Sequence, residues 1–75
     1  MDVIRKISVG ADYKNGAMHY IVGQDVLSGS HRINHIGINE GTGDFEIWIE
    51  KDDEIKKWKK FNSNMPISTE NNIDF

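Results

Sequence analysis

Phe45-Glu46-Ile47-Trp48-Ile49-Glu50, then Lys51-Asp52-Asp53-Glu54, then Ile55-Lys56-Lys57-Trp58-Lys59-Lys60-Phe61, is the stretch on which the fold turns. Side chains of a strand alternate between faces. Phe45, Ile47 and Ile49 therefore share an apolar face, and Glu46, Trp48 and Glu50 share the opposite one. The second half admits two readings. Ile55, Trp58 and Phe61 recur every three residues, and an acid at Asp52 or Asp53 with lysines further on suits a short capped helix over 52–61. Against the helix, the run is short for one and follows a clear strand after a tight polar turn. Strand is the preferred reading. It makes 44–61 a hairpin with Glu46 and Glu50 opposite lysines, and it leaves an α+β fold as the alternative.

The same stretch sorts charge. Glu40, Asp44, Glu46, Glu50, Asp52, Asp53 and Glu54 outweigh Lys51 over residues 40–54, whereas residues 55–61 carry four lysines and no acid. The overall charge of −3 hides this local dipole. As a strand, 55–61 places Lys56, Trp58 and Lys60 on one face and Ile55, Lys57, Lys59 and Phe61 on the other. The first face reads as two ammonium groups around an indole, a pairing that suits phosphate and a stacked ring. The competing reading is that the lysines blunt an edge strand and balance the acids beside them.

Working outward, polar and glycine-rich clusters recur at Gly10, Asn15-Gly16, Ser28-Gly29-Ser30, Glu40-Gly41-Thr42-Gly43 and Asn62-Ser63-Asn64. They separate apolar runs at 3–9, 17–23, 31–39, 45–50 and 55–61, with a sixth at 67–75. This spacing predicts an all-β antiparallel meander of five or six strands in one small domain spanning 1–75. Asn15-Gly16 is the strongest hairpin signal, because both central positions of a type I′ turn need positive φ. In the second run both faces carry apolar groups, which suggests a strand covered on both sides. Residues 62–75 read as a C-terminal arm that docks on a neighbouring subunit.

At 75 residues with no Cys, the chain lacks disulfides and thiolate metal sites, and a core of this size supplies only about 3–5 kcal/mol. A homo-oligomer is the economical remedy. No apolar run is long enough to span a membrane, and Met1-Asp2-Val3-Ile4-Arg5 does not resemble a signal peptide, so a cytoplasmic location with no membrane contact is expected. His19, His31 and His35 raise the question of a metal, but His31 and His35 on one strand lie about 13 Å apart, too far to share an ion. Neither metal nor cofactor is expected. The serines sit in no nucleophile motif, Asp52-Asp53-Glu54 reads as a solvated turn, and Gly41-Thr42-Gly43 lacks the lysine and helix start of a phosphate loop. The chain therefore reads as non-enzymatic.

Gly10-Ala11-Asp12-Tyr13-Lys14-Asn15-Gly16-Ala17-Met18-His19-Tyr20, Trp58-Lys59-Lys60-Phe61-Asn62, Met65-Pro66 and Asn72-Ile73-Asp74-Phe75 resemble stretches of small accessory proteins of T-even-like and related tailed phages. The resemblance covers about a third of the chain and carries no catalytic residue. It implies a class of compact, Cys-free, acidic proteins that block host enzymes or defence systems in the host cytoplasm. Some of these are oligomeric sponges that sequester nucleotide immune signals without cleaving them.

The leading expectation is a binding protein that captures a small anionic, nucleotide-derived ligand between subunits. Lys56 and Lys60 would neutralise phosphates, Arg32 would make a bidentate contact, Trp58, Trp48 or Tyr13 would stack on a base, and His19 would donate a hydrogen bond. One alternative is an inhibitor that covers a basic site on a host enzyme with its acidic 40–54 surface, using Glu46 and Glu50. Another is a single-stranded nucleic-acid binder using the Lys-Trp strand, which the net negative charge disfavours.

Overall fold

A computed structural model describes residues 4–10 and 18–71, and its regular structure is entirely strand. The strands are β1 (Ile4–Val9), β2 (Met18–Ile21), β3 (Asp25–Val26), β4 (His31–Ile38), β5 (Phe45–Lys51), β6 (Glu54–Phe61) and β7 (Ile67–Asn71). They form a three-stranded sheet in the order β2-β1-β7 and a four-stranded sheet in the order β3-β4-β5-β6. Every pairing is antiparallel. The expected small all-β domain is what the chain forms, and the helix over 52–61 is absent.

Two features separate this architecture from a simple meander. The second run turns a corner after Ile21 and continues as β3. Val22 N donates to Arg5 O in the first sheet, while Gly23 N donates to Ile33 O in the second. Gly23 makes the change at φ 93, a left-handed conformation that costs glycine little. The second feature is β7, which pairs with β1 of its own chain from Val9↔Ile67 to Ile4↔Asn71. The stretch expected as an arm thus completes the chain's own sheet through Asn71; its last four residues, like Tyr13 and the Asn15-Gly16 turn, lie outside the described residues.

The core lies between the sheets. Ile7, Ile33, Ile47 and Ile49 are fully buried, joined by Val9, Tyr20, Val26 and Ile36, with Phe45, Trp58, Phe61 and Ile67 packed around them. Each fully buried aliphatic side chain contributes about 1.5–3 kcal/mol. β2 is an edge strand covered on one side only, since Tyr20 is buried whereas His19 and Ile21 on the opposite face are exposed, Ile21 to 39%. The expectation of cover on both sides fails there because no strand or sheet packs against that second face among the described residues.

The β5–β6 hairpin closes through Asp52 (φ 51) and Asp53 (φ 70) between the paired residues Lys51 and Glu54. Positive φ at both central positions is the type I′ pattern, whose twist matches that of the flanking strands. Two bulges then interrupt the four-stranded sheet. Asn34 is an extra residue in β4 between the pairs Ile33↔Ile49 and His35↔Trp48, and Trp58 is an extra residue in β6 between Ile47↔Lys59 and Trp48↔Lys57. Both bulges border Trp48. Among the described residues no helix is long and apolar enough to cross a membrane.

Candidate functional site

The bulge at Trp58 decides where the lysines go. Counting back from the turn, Lys57 pairs with Trp48 on the face away from the core; beyond the bulge, Lys60 pairs with Glu46 on that same face. Trp58 turns inward instead, packing edge-on to Tyr20 with ring centroids 5.7 Å apart, and Lys59 Nζ lies 4.7 Å from its ring centroid. The expected grouping of Lys56, Trp58 and Lys60 on one face is therefore broken by the one-residue insertion. The recurrence of Ile55, Trp58 and Phe61 has the same origin. Trp58 and Phe61 both reach the core across the bulge, and Ile55 lies opposite Glu50, 52% exposed.

On the outer face, His35 and Trp48 stack with centroids 5.6 Å apart and planes 11° from parallel, and Lys57 Nζ lies 5.9 Å from the Trp48 ring centroid. Lys57 Nζ also donates to Glu46 Oε2 at 3.1 Å, and Asn39 Nδ2 donates to the same oxygen at 3.3 Å. The Lys57 ammonium and then the Asn39 amide hold the Glu46 carboxyl below its ordinary range. Lys60 Nζ lies 3.9 Å from Asp44 Oδ2. Lys57 and Lys60 are thus committed to carboxylates of their own chain.

Lys51 and Lys56 are not. Among the described residues neither lies within 4.0 Å of a carboxylate oxygen, and both line a recess of about 310 Å³ together with His31, Glu54 and Ile55. Register explains the convergence. Lys56 pairs with the buried Ile49, Lys51 lies two residues beyond Ile49 on the same strand face, and His31 pairs with the buried Val26. The three side chains stand on β4, β5 and β6 at one end of the core-facing side. His31 Nδ1 is 2.7 Å from Ser30 Oγ, which restrains the imidazole. Two ammonium groups and an imidazole against one carboxylate make this a cationic recess.

A neighbouring recess of about 360 Å³ has the opposite balance. Asp25, Glu50, Asp52 and Asp53 face Arg32 and Lys51 there, with Arg32 Nε 4.0 Å from Asp25 Oδ1. The site residues expected from sequence are consequently dispersed. Lys56 lies in the cationic recess, Arg32 in the acidic one, Trp48 and Lys60 on the outer face, and Trp58 against the core. His19 belongs to the other sheet, where its Nδ1 is 2.8 Å from Ser8 Oγ. Glu46, expected to serve an acidic docking surface, is only 7% exposed and bonded to Lys57. Glu50 lies opposite Ile55 and Arg32 rather than a lysine.

Sequence reasoning did not select Lys51 for an anion. The signal for Lys51 was present: a two-residue turn at Asp52-Asp53 sets Lys51 and Lys56 on the same face of the hairpin. Among the described residues no group of three or more His, Asp or Glu side chains is placed to hold a metal ion. Comparison with family models, with curated proteins and with solved structures finds no match.

Proposed function

We propose that the protein is a non-enzymatic binder that sequesters a small anionic, nucleotide-derived ligand, and that the recess of Lys51, Lys56 and His31 holds the anionic group. The observation that carries this reading is the contrast among lysines. Lys57 and Lys60 are neutralised within the chain, whereas Lys51 and Lys56, with no carboxylate oxygen within 4.0 Å among the described residues, converge on a recess of about 310 Å³. Like charges that share one recess repel, and an anion between them relieves that repulsion. A volume at the small end of ligand pockets fits a phosphate-bearing group rather than a macromolecular surface. Capture without turnover needs affinity alone, and oligomerisation would enclose a recess that is open in one copy.

Native mass spectrometry of the protein after incubation with a nucleotide-containing cell extract tests this. The expected result is a discrete oligomer that gains a small mass per site, lost in a Lys51→Ala, Lys56→Ala double variant that keeps its assembly state. A species that gains no small mass would overturn the reading. Capture of a host protein through the acidic recess of Asp25, Glu50, Asp52 and Asp53 would replace it with the inhibitor reading.

A further inference from the structure

Gly37 sits in the interior of β4, where glycine is an unfavourable choice, since it forfeits side-chain packing and backbone entropy. Neither usual reason for a glycine holds at this position. Its φ is not in the left-handed region, and a Cβ built on it meets nothing within 4 Å. Space is therefore left open over the backbone. Gly37 lies directly opposite Glu46 on the outer face, two residues from His35 and two from Asn39. β3 accompanies β4 only at His31 and Arg32, with two further backbone hydrogen bonds at Ile33, so no strand flanks Gly37 on that side among the described residues.

Gly37 leaves bare backbone open on this face, with groups of mixed character around it. On one side stands the His35–Trp48 stack, and on the others the Glu46 carboxylate and the Asn39 amide. The bulges at Asn34 and Trp58 both border the Trp48 row, and bulges characteristically re-aim side chains beside functional sites. The nearby charges cancel in pairs, Lys57 with Glu46 and Lys60 with Asp44. A flat, uncharged group suits such a place, because only a ring can lie against backbone while meeting aromatic neighbours.

We propose that the open backbone at Gly37, with His35, Trp48, Glu46 and Asn39 around it, seats an uncharged heteroaromatic ring of nucleobase size. This ring seat is on the opposite side of the sheet from the anion recess and stands independently of it. A side chain at position 37 would fill the seat.

Two-dimensional ¹H–¹⁵N NMR on the labelled protein tests this with adenosine and cytidine as probes, ribose as the sugar control and pyrophosphate as the anion control. The nucleosides should shift the Gly37 amide and the Trp48 indole N–H, and ribose should not. Gly37→Thr should weaken the nucleoside response about tenfold or more while its unfolding midpoint stays level or rises. Nucleosides that leave both signals unmoved, or a Gly37→Thr protein that responds as the parent does, would overturn the proposal. Gly37→Ala guards against misfolding of the larger variant: a lowered midpoint there would assign the glycine to packing and also overturn it. Pyrophosphate reports separately through the Lys51 and Lys56 amides, so the ring seat and the anion recess fail or survive independently.

Discussion

Trp48 and Trp58 sit on paired strands of one hairpin and have opposite fates. Trp48 follows strict alternation from Ile47 and Ile49 and stands on the outer face between His35 and Lys57. Trp58 is the inserted residue of a bulge and turns into the core against Tyr20 and Phe61. The same residue type is thus a structural anchor on one strand and a surface group on its neighbour. What separates them is one extra residue in the ladder. The bulge also sets the lysines: it places Lys57 and Lys60 over carboxylates and leaves Lys56 in the recess with Lys51.

The sharpest way to break this comparison is to truncate each indole in turn. Trp58→Ala should destabilise the fold by about 3 kcal/mol, near the low end for aromatic truncation because the ring is only partly buried. Trp48→Ala should cost about 1 kcal/mol or less, the scale of a cross-strand pair. Urea unfolding of the two variants checks both values; equal losses would show that the two environments are not distinct. Trp48→Ala should also abolish the nucleoside response at Gly37, which Trp58→Ala should leave in place wherever the protein remains folded.

A second test uses pH. The folded-state pKa of Glu46 is depressed, so its ion pair contributes stability above the ordinary carboxylate range, and that contribution is lost as pH falls through the lower folded value. Lys57→Met should therefore lower the urea midpoint at neutral pH and leave it nearly unchanged in strong acid. An equal drop at both pH values would mean that Lys57 acts through packing alone.

The smallest effect concerns the turn that keeps the two tryptophans in register. Asp53 adopts φ 70, a conformation glycine reaches without strain. Asp53→Gly should stabilise the hairpin by roughly 0.5–1 kcal/mol, read as a raised melting temperature with the outer-face contacts of Trp48 intact.

Much of the fold was legible because period-2 alternation and turn chemistry are local. The faces of Phe45, Ile47 and Ile49, the turn at Asp52-Asp53 and the strand at 55–61 all follow from residues close together in sequence. The bulges were not legible. Asn34 and Trp58 are ordinary strand residues, and an insertion relative to a partner shows only once the partner is in place. The error at Lys56, Trp58 and Lys60 follows directly, since a one-residue slip exchanges faces for everything beyond it. The pairing of β1 with β7 was hidden for a related reason: nothing local in Ile67-Ser68-Thr69-Glu70 names Val9 as its neighbour. Of the candidate site, Lys56 was found and Lys51 was passed over because it was counted among the surrounding acids rather than placed on a strand face.

The position of β1 between β2 and β7 has a consequence for how the chain is made. The four-stranded sheet spans 25–61 and consists of hairpins between successive strands, so it can close soon after those residues leave the ribosome. The three-stranded sheet pairs Ile4 with Asn71 and must wait for nearly the whole described chain. Until β7 arrives, one edge of β1 remains open, and Ile7 and Val9 depend on β2 and the four-stranded sheet for cover. Pairing between neighbours in sequence thus lets the Trp48 face form before the opposite layer is sealed, and a chain truncated ahead of Ile67 would keep its outer face while its core stood ajar.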